Sequence, residues 1–219
     1  MIETAKIDSD KTFAEFFAGI GLMRMGLELD GWNISYANDI DADKQTMYQA
    51  HFADDNDHFA LADIHKVRAA EVPFAALATA SFPCTDLSLA GGRKGLAGKQ
   101  SSAFWGFIRV LEEMGSKRPP LVLLENVLGF LTSHGGKDLE EALKALNALG
   151  YAVDIMVVDA ERFVPQSRVR LFVVGVLNDK TNRQALETRG FYETPLRPKA
   201  LSDFVFTHPD IHWHLLDLP

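Results

Sequence analysis

Short apolar runs alternate with segments of helical spacing along the first 177 residues. The apolar runs predict strands at 12–17, 32–37, 58–62, 74–82, 121–124, 151–158 and 169–176. Apolar residues recurring every three or four positions predict helices at 22–29, 41–52, 102–114 and 138–149. Asp41 is suited to cap the second helix, and Gly150 to end the last one.

This order of elements predicts an α/β fold, with a mixed, mostly parallel sheet and helices on both faces. The connection between the last two predicted strands is short, so these two strands could pair antiparallel. After Leu177 the periodicity fades, and residues 178–219 hold four of the nine prolines. An irregular tail is therefore expected there.

Composition narrows the class of protein. A chain of 219 residues that is 47% apolar can bury the core of one large domain, or of one domain plus an appendage. One cysteine excludes an internal disulfide, and no apolar run approaches bilayer length. The start, MIETAKIDSDK, lacks the apolar segment of a signal peptide, so a cytoplasmic protein is expected. The net charge of −8 argues against a broad nucleic-acid surface, so any DNA contact would be local or supplied largely by something absent from this chain.

Glycine and aspartate residues follow three successive predicted strands. Gly19 and Gly21 stand at the first strand-to-helix turn, where glycine allows a tight bend and close approach of a ligand. Arg24 occupies the third glycine position of a dinucleotide fingerprint, which weakens that interpretation. Asp39, about 20 positions further on, suits a ribose diol, and Asp63 suits an adenine amino group. The alternative is a plain turn flanked by solvated carboxylates.

Candidate catalytic residues follow the next strands. Cys84 comes just after the fourth predicted strand, where a thiolate could act as a nucleophile, although a lone cysteine can also be a small buried apolar residue. Glu125 and Asn126 follow the apolar run 121–124, where burial would raise the pKa of the carboxyl and let it hold or donate a proton. Arg168 and Arg170 could fix a carboxylate, a phosphate or a base carbonyl, or could be a solvated sheet edge.

Five segments, in order over roughly residues 12–177, resemble the motifs of one enzyme family. They are FFAGIGLMRMGLELDGW, YANDIDADKQTMYQAHF, ASFPCTDLSLAGGRKGL, VLLENVLGF and RFVPQSRVRLFVVG. The chain resembles the catalytic domain of the DNA (cytosine-5)-methyltransferases. The resemblance implies a Rossmann-like fold that uses S-adenosylmethionine, with residues 1–177 as the catalytic and cofactor-binding domain.

The resemblance also implies a mechanism. Cys84 would attack C6 of a cytosine flipped out of the DNA, and C5 would then accept the methyl group of S-adenosylmethionine. Glu125 would contact N3 and the exocyclic amine, and Asn126 would orient its loop. Arg168 would bind the base carbonyl O2 and support the thiol, while Arg170 would be structural or directed at phosphate. The glycine-rich segment 91–98 would be a mobile lid over the base.

The implied cofactor residues come from the ends of four strands. Together they would line the methionine, ribose, adenine and methyl-donor regions: Phe17, Gly19, Ile20, Gly21, Asp39, Ile40, Asp63, Ile64 and Pro83.

The chain departs from this family in several places. Thr85 replaces a frequent glutamine, and the target-recognition domain and the C-terminal motifs are not found after Leu177. The tail then leads toward an absent recognition domain, and the chain is interpreted as a split subunit completed by a second polypeptide, or as a truncated form. Its histidines, His208, His212 and His214, are interpreted as solvated loop residues and not as metal ligands.

Three classes of function remain open. The first is a methyltransferase acting on double-stranded DNA. The second is an inactive, cofactor-binding module that requires or regulates a partner chain. The third is a nicotinamide-dependent dehydrogenase, which Arg24 disfavours and which gives Cys84, Glu125 and Arg168 no shared role.

Overall fold

The computed structural model describes residues 11–53, 57–83, 102–177 and 193–216. Within these residues one mixed, mostly parallel sheet has seven strands in the order β3-β2-β1-β4-β5-β7-β6. The strands are β1 (Thr12–Phe16), β2 (Asn33–Asp39), β3 (Phe59–Leu61), β4 (Leu77–Ala80), β5 (Leu121–Val127), β6 (Tyr151–Asp159) and β7 (Val169–Leu177). The helices are α1 (Leu22–Leu29), α2 (Ala42–His51), α3 (Ser102–Met114), α4 (Gly129–Thr132), α5 (Lys137–Ala148) and α6 (Lys199–Thr207).

The chain forms two compact units. The first contains the described residues up to Pro83 together with Ala103–Leu123. In this unit β1 pairs parallel with both β2 and β4, and β2 pairs parallel with β3. The carboxyl ends of these four strands therefore lie at one edge of the sheet. β1 is buried from Phe13 to Phe16, and the Phe16 ring packs 5.1 Å from Phe107 of α3.

The described part of the second unit consists of Ser102 and the residues from Leu124 onward. Here β6 and β7 pair antiparallel over their whole length, from Tyr151 opposite Leu177 to Asp159 opposite Val169, which confirms the predicted pairing. Helix α5 buries the apolar stripe that its sequence predicted. It ends before Gly150, whose φ of 93° only glycine adopts readily.

One predicted strand boundary and one predicted irregular segment were wrong. β5 continues to Val127, so Glu125 and Asn126 lie inside the strand instead of behind it. Alternation explains this, because every second residue from Val122 is buried and Asn126 continues that buried face. Helix α6 lies in the segment expected to be irregular.

The sequence signal for α6 is short. It begins after Pro198, and its buried Leu201, Phe204 and Val205 are three and four residues apart. One such turn of spacing within a proline-rich segment is too little to outweigh the surrounding loop signals.

Candidate functional site

The turn after β1 has an unusual backbone. Phe17, Gly19 and Gly21 all have positive φ, of 59°, 58° and 84°. Phe17 is not glycine, so this conformation costs free energy, and strained backbone of this kind is common at ligand-binding turns. A Cβ on Gly21 would lie 2.3 Å from the Phe52 ring, so only glycine fits there. The amide of Ala18 donates to the Asn38 carbonyl at 2.9 Å, which ties the turn to the end of β2.

Asp39 is the carboxylate that organises this turn. Its side chain is 6% exposed, and Oδ2 accepts a hydrogen bond from the Gly19 amide at 2.8 Å. Oδ1 accepts from the amide of Asp41 at 3.0 Å. A carboxylate offers about four acceptor positions, so after these two bonds it can still accept the hydroxyls of a diol. The predicted glycine turn and the predicted acidic residue are thus brought together by a direct contact.

The end of β3 completes this edge of the first unit. The amide Nδ2 of Asn38 donates to the carbonyls of Ala60 and Ala62, at 3.0 and 2.8 Å, and so fixes the chain that leads to Asp63. Asp63 caps the turn Ile64–Lys66 by accepting from the His65 amide at 2.9 Å. One of its oxygens is thus used in shaping the turn.

The remaining predicted cofactor residues differ in exposure. Ile20 and Ile40 are exposed beside the turn, and Pro83 is exposed after β4. Ile64 has a buried side chain against Gly106 of α3, so it would offer a ligand only its main chain. Cys84, Thr85 and the predicted lid at 91–98 lie outside the described residues. The approach of the thiol to Glu125 and Arg168 therefore stays a prediction.

In the second unit Glu125 is held by an arginine. The Nε atom of Arg170 lies 2.7 Å from Oε1 of Glu125, and both side chains are mostly buried. Arg170 also donates from Nη1 to the Val169 carbonyl at 2.8 Å, which fixes its guanidinium. Asn126 is buried, and its Oδ1 accepts from the Val127 amide at 2.8 Å. The contact of Arg170 is thus with the carboxylate itself, which supports the structural alternative for this residue.

Arg168 lies just before β7 and is exposed. Its amide donates to Oδ1 of Asp159 at 2.6 Å, and the same carboxylate accepts from the Ser167 hydroxyl and the Glu161 amide, at 2.8 and 3.1 Å. These donors lower the pKa of Asp159, the amide of Glu161 most strongly. Asp159 therefore holds the loop between β6 and β7 in place. The sequence pattern did not indicate this role, because the three contacts depend on how the loop returns to the sheet.

Glu15 is a second residue that the sequence analysis missed. It lies in the middle of β1 and is 3% exposed, and burial raises its pKa to about 8 against the opposing effects of the Arg24 amide and guanidinium. Its neighbour in the β1–β4 register is Thr79. Oε2 of Glu15 and Oγ1 of Thr79 are both buried and make no hydrogen bond with the described residues. A charged residue type inside the apolar run TFAEFF is the signal that could have singled it out.

Arg24 anchors α1 to α2. Its guanidinium lies 3.8 Å from the centre of the Phe52 ring, donates to the Tyr48 hydroxyl at 3.0 Å and pairs with Glu28 at 2.6 Å. Stacking and hydrogen bonding together make this a well-satisfied buried cation. A large anchored side chain therefore fills the position where a dinucleotide fingerprint requires glycine.

The described residues contain no cluster of three or more His, Cys, Asp or Glu suited to a metal ion. The His208 ring stacks on Phe204 at 4.1 Å, and His212 donates its amide to Asn147 at 2.8 Å, so both take part in packing the second unit. No helix in the described part of the chain is long and apolar enough to cross a membrane.

The family model described as C-5 cytosine-specific DNA methylase matches residues 11–214. The chain belongs to the C-5 cytosine-specific DNA methylase family. It is 33% identical over 175 residues to the type II methyltransferase M.DsaV of Dactylococcopsis salina, covering 80% of this chain and 48% of that protein. It is 34% identical over 165 residues to M.BsuFI of Bacillus subtilis, covering 75% of this chain and 39% of that protein. This member of the family thus spans about half the length, or less, of these relatives.

Solved structures agree on the fold. The S. pombe Dnmt2 methyltransferase matches with a TM-score of 0.64 and 28% identity, covering 78% of this chain and 52% of that one. The Entamoeba histolytica methyltransferase EhMeth matches with a TM-score of 0.67 at 19% identity, covering 79% and 55%, and supports the fold alone. The fold predicted for a C-5 cytosine-specific methylase is confirmed.

Proposed function

We propose that this chain is the catalytic part of a DNA (cytosine-5)-methyltransferase that uses S-adenosylmethionine. The observation that carries the proposal is the contact between Asp39 and the Gly19 amide, at the carboxyl edge of four parallel strands. Ligands of open α/β sheets bind at this edge. The donor set fits the cofactor, because a glycine turn admits the methionine end and a buried carboxylate accepts ribose hydroxyls.

Family membership supports the following roles for residues of this chain. When bound, the cofactor would supply an electrophilic methyl group, and Pro83 would be one of the residues that hold it. Cys84 as a thiolate would add to C6 of the flipped cytosine, which makes C5 nucleophilic. Glu125 would meet N3 and the exocyclic amine, and Arg168 the carbonyl O2, so that charge on the ring is neutralised. C5 would then take the methyl group, leaving the demethylated cofactor, and loss of the C5 proton to a base would break the C6–S bond and release the thiol.

The pair of Glu125 and Arg170 supports this assignment. A carboxylate held at 2.7 Å by a guanidinium is fixed in orientation before substrate binds. Asn126, buried on the opposite face of β5, fixes the strand through its bond to the Val127 amide.

Two assays test the proposal. Asp39→Ala should weaken S-adenosylmethionine binding measured by calorimetry, with Asp43→Ala on the exposed side of α2 as the matched control. With the missing recognition part supplied, a duplex carrying 5-fluorocytosine at the target should trap wild-type protein covalently. Cys84→Ala should abolish both trapping and turnover while leaving cofactor affinity intact. Turnover by Cys84→Ala would refute the nucleophile, and equal cofactor affinity in Asp39→Ala would remove Asp39 from the site.

The partner and domain organisation belong to the same proposal. We propose that residues 1–177 form the catalytic and cofactor-binding domain, that a second polypeptide or a longer form of the protein supplies target recognition, and that the protein acts on DNA in the cytoplasm. The shorter length relative to the matched relatives supports the second point.

An inactive, cofactor-binding module remains the alternative. The two are separated by assaying methyl transfer by the chain alone and with the missing half of a relative supplied as a second polypeptide. Cofactor binding without transfer in both arms would favour the module.

A further inference from the structure

The loop between β6 and β7 is exposed, and hydrogen bonds fix its two ends. Ala160 donates its amide to the Arg168 carbonyl at 3.3 Å, and Asp159 accepts from the amide of Arg168 and the hydroxyl of Ser167. These hydrogen bonds hold the two ends of the loop close to each other. The donors to Asp159 lower the pKa of its carboxyl, so these contacts favour the ionised form.

The same loop is also shaped internally. The amides of Phe163 and Val164 both donate to the Ala160 carbonyl, at 2.8 and 2.9 Å, and Gln166 donates to the Val164 carbonyl at 2.7 Å. A loop held in this way loses little conformational freedom when it binds a partner.

Phe163 stands at the tip of this braced loop and is 78% exposed. The adjoining Val164 is about half exposed. Two exposed cations, Arg162 and Arg168, flank the pair in sequence. The anions nearby are the exposed Glu161 and the carboxylate of Asp159, which is engaged by three hydrogen-bond donors. An exposed aromatic ring in a loop that also carries guanidinium groups is a combination that binds nucleic acid, because bases stack on the ring while cations meet phosphates.

The position of the loop favours the same partner. Arg168, at its end, is two residues from Arg170, which holds Glu125 at 2.7 Å within this unit. The carboxylate proposed to receive the cytosine and the exposed ring are therefore joined by a short, ordered stretch of chain. When a base leaves the duplex, its neighbours lose a stacking partner.

We infer that Phe163 is a DNA-contacting residue that stacks on an unstacked base beside the target cytosine. The inference rests on the proposed function for its substrate. Arg162 contributes a cation to the adjacent phosphates, and Val164 widens the apolar contact.

The test measures DNA binding by the full chain and, separately, methyl transfer by the chain alone and with the missing half of a relative supplied as a second polypeptide. A fluorescein-labelled duplex with one mismatched cytosine, at low ionic strength, is titrated with the full chain as wild type, Phe163→Ala and Phe163→Trp. Phe74→Ala removes another exposed phenylalanine, in the first unit, and serves as the matched control. Base stacking on an aromatic ring corresponds to a loss of about fivefold to hundredfold in affinity. Phe163→Ala should show that loss, Phe163→Trp should restore affinity, and the control should match wild type.

Cofactor affinity and melting temperature should be unchanged in Phe163→Ala, because the ring is exposed. Equal DNA affinity of Phe163→Ala and wild type overturns the inference, as does a wild-type chain that does not bind the duplex. A variant that loses only its association with a second polypeptide overturns it in favour of a protein contact. DNA binding that depends on Phe163, with no methyl transfer either by the chain alone or with the missing half of a relative supplied, leaves the inference standing and counts against the proposed function instead.

Discussion

Replacing Glu15 by glutamine should make the protein more stable, increasingly so as the pH rises. The carboxyl of Glu15 is 3% exposed, and burial raises its pKa from 4.5 to about 8. In the unfolded chain it ionises near pH 4.5, whereas the folded protein keeps the proton until about pH 8. Between these values the unfolded state binds fewer protons, so the wild-type free energy of unfolding falls as pH increases.

The magnitude follows from the same two values. Each pH unit in this window costs about 1.4 kcal/mol, which gives about 3 kcal/mol at pH 7 and about 5 kcal/mol at pH 8 and above. Below pH 4.5 the cost vanishes, because the carboxyl is neutral in both states. Glutamine keeps the shape of the side chain and does not ionise, so the difference in unfolding free energy between Glu15→Gln and wild type should grow by these amounts.

Urea unfolding followed by circular dichroism, at several pH values from 4.5 to 8.5, measures this difference. Glu112→Gln, an exposed carboxyl on α3, is the matched control and should show no such growth. A Glu15→Gln difference that stays constant within about 1 kcal/mol across this range would show that Glu15 is not held neutral in the folded protein.

Three further predictions concern single contacts. Gly21→Ala should lower the free energy of unfolding by about 1–3 kcal/mol, because the new methyl meets the Phe52 ring. Gly19→Ala places its methyl in open space, so thermal melts should show a smaller loss of stability for that variant. Arg197→Met should cost about 3–5 kcal/mol in urea unfolding by leaving the buried Asp154 without its ion-pair partner, and a loss that does not shrink in acid would contradict this cause. Arg170→Met should reduce methyl transfer at least tenfold with unchanged cofactor affinity, and full turnover would show that Glu125 does not depend on its partner.

Local patterns predicted the helices well. Helices α1 and α3 have the predicted bounds, because their apolar spacing is interrupted only where the helix ends. Asp41 caps α2 as predicted, accepting from the amides of Asp43 and Lys44, since capping depends on residue type at one position. The end of β5 was missed because Glu125 and Asn126 are polar, whereas a strand needs only alternate residues buried.

Contacts between distant residues set the limit of sequence reasoning. Asp39 and Gly19 were both predicted for the cofactor site, but no spacing rule shows that one accepts a hydrogen bond from the other. The left-handed backbone of Phe17 is likewise invisible in the residue type. The acidic side chain of Glu15 and its neighbour Thr79 are 64 positions apart, and only strand pairing brings them together.

The segment from Thr194 to Leu216 has a practical meaning for protein engineering. Arg197 pairs with Asp154 of β6 and donates to the Leu216 carbonyl, while the Leu216 amide returns to Asp154. Trp213 bridges to Val153 on the same strand. A foreign recognition module fused after Leu216 would leave these contacts intact. A fusion that replaced everything after Leu177 would remove the Arg197 partner of the buried Asp154 carboxylate and the contact of Trp213 with β6.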